Sequence, residues 1–182
     1  RYRNHAMARP NDTLYTNQWN FPAIDMERAW DIQPGSSSEI VVAVLDTGMA
    51  FRTITLSYQT FPFTLNGRQY PSLGRITVPF AAAPELGPSG SDRFVTPRDF
   101  IWDDSIPVDL DGHGTHVAGT IGQSTNNNSG LTGVAFNVRI MPLKVCASAW
   151  DILFLFASDG VSQVDPDFSA CPDSEQAEAI RY

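Results

Sequence analysis

Apolar residues fall along this chain in three rhythms, and each rhythm predicts a kind of element. Ile40-Val41-Val42-Ala43-Val44-Leu45 is an unbroken apolar run, the composition of a strand covered on both faces, as in a parallel sheet. Val138 to Val145 reads as a second buried strand. Thr53-Ile54-Thr55-Leu56 and Arg75-Ile76-Thr77-Val78 alternate instead, as partly covered strands do. Asn66-Gly67 between them is a good hairpin turn. Ile24 to Ile32 carries apolar Ile24, Met26, Ala29 and Trp30 at helical spacing, with Asp25 placed to cap it. A helix is also predicted from about Ser174, opened by Asp173-Ser174-Glu175-Gln176 and followed by apolar Ala177, Ala179 and Ile180. The small residues of Val117 to Ile121 predict a helix pressed tightly into a core. Asp151 to Ala157 is apolar. Pro34-Gly35-Ser36-Ser37-Ser38 and Ala81 to Asp92, with Pro84, Gly87, Pro88 and Gly90, read as loops. Arg1 to Pro10 is polar and basic, with no apolar period.

Length and charge narrow this picture. The chain has 182 residues, enough for one domain with a sizeable core. No apolar run approaches a membrane span. The formal net charge of −8 argues against nucleic acid or an anionic membrane as partner. Two cysteines, Cys146 and Cys171, are too few for a disulfide scaffold but enough for one bridge. Arg1 at one end and a helix running into Tyr182 at the other predict that both termini are cuts in a longer protein.

The chemistry concentrates in Asp111-Gly112-His113-Gly114-Thr115-His116-Val117-Ala118-Gly119-Thr120-Ile121. Gly112 and Gly114 let the backbone pass close to another segment at His113. A histidine at the mouth of a buried helix makes a good general base, because its proton affinity lies near neutrality. Zinc binding would need His-Glu-x-x-His or a third ligand nearby, and His-x-x-His alone is a weak signal for it. Asp46-Thr47-Gly48 closes the first buried strand. A carboxylate at the carboxyl end of a central parallel strand stands where α/β proteins place their sites.

His113 to Gly119 resembles, without a break, the His-Gly-Thr-His-Val-Ala-Gly motif of the subtilisin-like serine proteases, the subtilases. Asp46-Thr47-Gly48 is similar to that family's Asp-Thr/Ser-Gly motif, and Asp46 precedes His113 as the family's order requires. The resemblance implies an α/β fold, a three-layer sandwich with a mostly parallel sheet, of which this chain is the incomplete amino-terminal half. It implies a secreted serine endopeptidase acting on polypeptides. Asp46 would orient the ring and His113 would be the base, while His116 would be structural and point into packing. Arg1 to Pro10 resembles the tail of a propeptide, which makes the enzyme's own propeptide an expected partner, and 11–182 the peptidase domain. Ser124-Thr125-Asn126-Asn127-Asn128-Ser129-Gly130-Leu131-Thr132-Gly133-Val134-Ala135 resembles the family's calcium loop. By that resemblance Asn127 and the carbonyls of Thr125, Ser129 and Leu131 would bind structural Ca2+, with Asp12 as a carboxylate ligand. The alternative is a polar helix-to-strand loop. Secretion, in turn, implies that Cys146 and Cys171 pair. Asn11-Asp12-Thr13 and Asn127-Asn128-Ser129 also match the glycosylation sequon.

Two regions depart from the family pattern. Residues 51–97 have no counterpart and read as an inserted β-rich segment on the surface. Asp99-Phe100-Ile101-Trp102-Asp103-Asp104, with Asp109 and Asp111, forms an acidic run that would bind a cation, favour basic substrate residues, or simply be solvated. No serine lies in the family's nucleophile context, so the chain is expected to supply base and orienter alone and to be inactive by itself. Two competing functions follow from the same residues. One is a subtilase-like module kept for binding. The other is an aspartic protease using Asp46, which needs a second Asp-Thr/Ser-Gly that the sequence lacks.

Overall fold

The computed structural model describes residues 9–65, 67–151 and 169–182. The predicted apolar stretch from Asp151 to Ala157 falls almost wholly outside them, as do residues 1–8 and Asn66. In chain order the elements are α1 (Asn20–Ala23), α2 (Met26–Ile32), β1 (Val41–Asp46), β2 (Ile54–Gln59), β3 (Phe63–Leu65), β4 (Arg68–Tyr70), β5 (Arg75–Phe80), β6 (Arg98–Asp99), α3 (His113–Gly122), β7 (Arg139–Lys144), β8 (Ala147–Ser148), α4 (Ala149–Asp151), β9 (Ser169–Ala170) and α5 (Asp173–Arg181).

The main sheet is parallel, with strand order β1-β7-β6. Val41 to Asp46 pair in step with Arg139 to Lys144, and Arg98 and Asp99 pair with Leu143 and Lys144. The two-residue period of a strand sends alternate side chains to opposite faces. On one face Val44 and Ile140 are buried with Ala118 of α3, and Val42 packs beside them. On the other, Leu143 is buried with Ala179 of α5, flanked by Leu45 and Met141. Helix, sheet and helix form three layers, the α/β arrangement expected. A third cluster, Tyr15, Phe21 and Trp30, lies under α1 and α2 and closes on Val134 and Phe136. The Trp30 indole N–H donates to the Val134 carbonyl at 2.9 Å.

Several expectations are corrected. β1 is an edge of the described sheet, and β7 is its centre. The apolar run of β1 is unevenly covered: Ile40 is 51% and Val41 37% exposed, whereas Val44 is buried. Asp25 does not cap α2; it is left-handed, with φ 57°, and makes no side-chain cap hydrogen bond. α5 likewise starts without a side-chain cap, after Pro172. The β-rich segment is two antiparallel pairs, β2 with β5 and β3 with β4. It is not surface decoration throughout. Phe51, Leu86 and Phe94 are buried in the main core, and Leu86 reaches it from a short 3-10 turn, Pro84–Leu86. Tyr58 of β2 is buried too, its ring 5.7 Å from that of Trp102.

Candidate active site

Register decides which side chains can meet. Asp46 is the last residue of β1, opposite Lys144 of β7, at the carboxyl edge of the sheet. His113 is the first residue of α3, which packs on β1 and β7. Two glycines permit the approach. A Cβ at Gly114 would lie 2.2 Å from the Gly48 carbonyl oxygen, and one at Gly48 would lie 2.5 Å from the Val108 carbonyl oxygen. Any side chain at Gly114 would push the helix off the strand end.

His113 Nδ1 and Asp46 Oδ1 are 2.7 Å apart. The imidazole is open to solvent, its side chain 65% exposed, while that of Asp46 is 13% exposed. The hydrogen bond to Asp46, the carboxylate's charge, and the more distant charges of Asp111 and Asp109 outweigh slight burial and raise the His113 pKa above its ordinary 6.5. Asp46 Oδ1 also accepts the Thr47 amide at 2.7 Å, and its main-chain carbonyl accepts the Val145 and Cys146 amides. The carboxylate is therefore fixed to the strand end before it touches the ring. With Nδ1 held by Asp46, Nε2 faces outward. Such an arrangement can act as a base with an orienter.

His116, one turn along α3, makes no contact with Asp46. It is exposed rather than packed as expected, and lines a groove of about 220 Å³ with Glu85, Gln18 and Leu131.

Below this pair the acidic run divides. Asp99 is fully buried, with one oxygen accepting the Ile101 and Trp102 amides and the other unpartnered. Burial is the main cause that pushes its pKa up from 3.8 to about 7. Beside it Lys144 and Asp151 form a buried pair at 2.9 Å, and Asp151 also accepts the Trp102 indole N–H. Of the acidic run, read as a cation site, a preference for basic substrate residues or a solvated loop, Asp99 is instead a buried structural group, whereas Asp103 and Asp111 are exposed as in a solvated loop. Among the described residues no group of three or more His, Cys, Asp or Glu side chains is placed to hold a metal.

Two of the expected calcium ligands, Asp12 and Asn127, lie at the same loop and are engaged in hydrogen bonds. Asp12 is buried. Its Oδ2 accepts the Asn126 amide at 3.0 Å and the Thr132 hydroxyl at 2.7 Å, and its Oδ1 accepts the Asn127 amide at 3.2 Å. Asn127 Oδ1 accepts the Ser129 amide, and its Nδ2 donates to Glu85. Calcium requires oxygens with no N–H hydrogens pointing at the same point. As these side chains stand they do not fit the ion. The 125–132 loop closes on a carboxylate in place of a cation, and the Leu14 amide donating to the Gly130 carbonyl adds a further tie. Cys146 and Cys171 are joined by a disulfide, which ties the chain after β7 to the approach to α5.

The sequence profile of the Subtilase family matches residues 37–152. The chain belongs to that family. It is 30% identical over 136 residues to the thermophilic serine proteinase of Bacillus sp. (strain AK1), covering 74% of this chain and 25% of that protein. It is 32% identical over 158 residues to the extracellular protease of Xanthomonas campestris pv. campestris, covering 78% of this chain and 23% of that protein. Among solved structures it is similar to a protease from Pseudoalteromonas arctica, 28% identical over 76% of this chain and 39% of that one, with a TM-score of 0.40. This subtilase chain thus spans a quarter or less of those two relatives' length. Its matched region contains both Asp46 and His113.

The sequence reading missed three residues that shape the site: Thr47, Asp109 and Thr115. Asp109 was visible only as one more charge in an acidic run. A usable signal was present, since a carboxylate three residues before a glycine N-cap is in reach of the helix's first amides.

Proposed function

We propose that this chain supplies the orienting aspartate, Asp46, and the general base, His113, of a secreted serine endopeptidase of the subtilisin type. The observation that carries the reading is the 2.7 Å contact of His113 Nδ1 with Asp46, on an imidazole whose other nitrogen is open. Asp46 keeps the proton on Nδ1, leaving the Nε2 lone pair to take the proton from a serine hydroxyl as its oxygen attacks the peptide carbonyl. His113 then returns that proton to the departing amine. A second cycle, with water in place of the amine, frees the enzyme. The ion pair of Asp46 with the imidazolium stabilises the charge that forms in each transfer. The serine belongs to the proposal: none in this sequence stands in the family's nucleophile motif. Polypeptides are the substrates, and the propeptide is the partner that residues 1–10 suggest. Relatives named extracellular proteases support secretion.

The experiment is hydrolysis of an unstructured protein by the full-length protein, with labelling by a serine-directed phosphonate. Activity abolished by the phosphonate and reduced by orders of magnitude in His113→Ala supports the reading. Correct folding with neither hydrolysis nor labelling would establish the binding-module alternative. An aspartic mechanism would require a second carboxylate against Asp46, and the group there is an imidazole.

A further inference from the structure

The amino end of α3 has an unusual set of partners. Its N-cap, Gly112, has φ 103° and no side chain with which to cap. A helix leaves its first amides without intrahelical acceptors, yet here each one is satisfied from elsewhere. The Gly112 amide donates to Asp109 Oδ1 at 2.8 Å, and the His113 amide to Asp111 Oδ1 at 3.2 Å. The Gly114 amide donates to Thr47 Oγ1 at 2.9 Å, and the Thr115 amide to Asp109 Oδ2 at 2.8 Å. Asp109 also takes the Thr47 hydroxyl at 2.9 Å, the Thr115 hydroxyl at 2.6 Å and the Asp111 amide at 3.1 Å. Thr115 Oγ1 in turn accepts the Ala50 amide. One carboxylate thus holds the residue after Asp46 and the second residue after His113.

Burial would raise the pKa of Asp109. The hydroxyl of Thr115, the amides of Gly112 and Thr115, and the hydroxyl of Thr47 together hold it below 3.8, so it stays ionised at working pH.

We infer that Asp109 is a positioning residue for the Asp46–His113 pair, acting through Thr47 and Thr115 to set the strand end against the helix start. It touches neither substrate nor the reacting atoms. An orienter and a base are useful only when their separation is fixed, and displacement of about an ångström can cost about a hundredfold in rate. The inference rests on the proposed role of His113 as base.

Removing the charge of Asp109 would itself lower the His113 pKa. The decisive test therefore uses neutral changes as well. Asp109→Asn, Thr47→Val, the double variant and Thr47→Ser are made in the full-length protein. For Asp109→Asn and Thr47→Val we expect kcat to fall about tenfold to a hundredfold with KM within about twofold. The double variant should lose little more than the worse single one, because both act on one linkage. Thr47→Ser, which keeps the hydroxyl, should restore kcat. The low-field proton resonance of the His113 Nδ1–H should broaden or disappear in Thr47→Val and return in Thr47→Ser. That signal needs no peptidase activity, so it tests positioning even where the peptidase reading fails. A Thr47→Val protein with an unchanged Nδ1–H resonance and unchanged kcat overturns the inference, whatever happens to its melting temperature. Additive losses in the double variant also overturn it. Should Asp109→Asn fail to fold, Thr47→Val against Thr47→Ser decides alone.

Discussion

The pairing of His113 with Asp46 makes a prediction that turns on sign. The hydrogen bond to Asp46 and its charge raise the imidazole's pKa, so the ring holds its proton to higher pH than a free histidine. A general base must be neutral. Activity should therefore develop as pH rises through a value above 6.5, and the acidic limb of kcat/KM should report it. Asp46→Asn removes both main causes. Its limb should move to lower pH while kcat falls by orders of magnitude, as a misoriented ring requires. A limb that stays in place would dissociate Asp46 from the base. His116, exposed and away from Asp46, should tolerate alanine with kcat nearly unchanged. Asp99 is shifted in the same direction, with a consequence for stability instead of activity. Its folded pKa is about 7 against an ordinary 3.8, so the folded protein binds the proton more tightly than the unfolded chain. The stabilisation is complete below about pH 4 and lost as pH rises through about 7. Asp99→Asn should flatten the pH dependence of the melting temperature between those limits. An unaltered slope would assign that dependence to other groups.

At the scale of elements, what could be read in the sequence and what could not separate along a physical line. The strand from Val41 was legible because an unbroken apolar run has few alternative uses, and the strand from Arg139 was legible although Arg139, Pro142 and Lys144 interrupt its apolar residues. The pair Asp46 and His113 was legible through the family motifs that surround them; of the two glycines read as marking a close backbone approach, Gly114 makes one and Gly112 does not. Which atoms meet across the fold was legible only where a family motif paired them. Nothing local in Asn11-Asp12-Thr13 says that its carboxylate will be taken by amides of residues 126 and 127, over a hundred positions away. The calcium expectation rested on the loop's oxygens; in the structure the carboxylate of the N-terminal segment accepts the loop's Asn126 and Asn127 N–H groups. Local rules also misplaced both predicted helix caps, since α2 and α5 are held by packing of Trp30 and Ala179. The clasp is testable. Asp12→Ala leaves two amides and the Thr132 hydroxyl without their acceptor, at a cost of about 1–3 kcal/mol. The melting temperature should drop by several degrees, and a calcium chelator should leave the parent's midpoint where it was. A large loss on chelation would restore the metal to the loop. The Cys146–Cys171 bridge closes a loop whose constraint is worth roughly 3 kcal/mol by chain entropy. Reduction, or serine at both positions, should lower stability by an amount of that order.

At the scale of the whole molecule, the described residues bring together the proposed base and its proposed orienter. Base and orienter lie at the carboxyl edge of a three-stranded sheet, and among the described residues the His113 ring is hydrogen-bonded to Asp46 and to no serine. An imidazole without a nucleophile transfers no proton worth transferring, and an acyl-transfer step also needs N–H donors for the oxyanion. The 182-residue chain alone is therefore expected to hydrolyse no peptide bond. Among the described residues β1 is an edge of that sheet, with Ile40 and Val41 exposed along it, and Trp19, just before α1, and Ile32, at the end of α2, are 78% and 77% exposed. Open strand edges with apolar flanks recruit other edges. In isolation the chain should associate as its concentration rises, visible as a mass above 20.0 kDa by light scattering after size exclusion. Lysine at Val41, on the open strand, should reduce that association without disturbing the distant Asp46–His113 contact. Casein hydrolysis by the protease-free chain would show that a nucleophile lies within it. A strictly monomeric chain at high concentration would show that the β1 edge is protected.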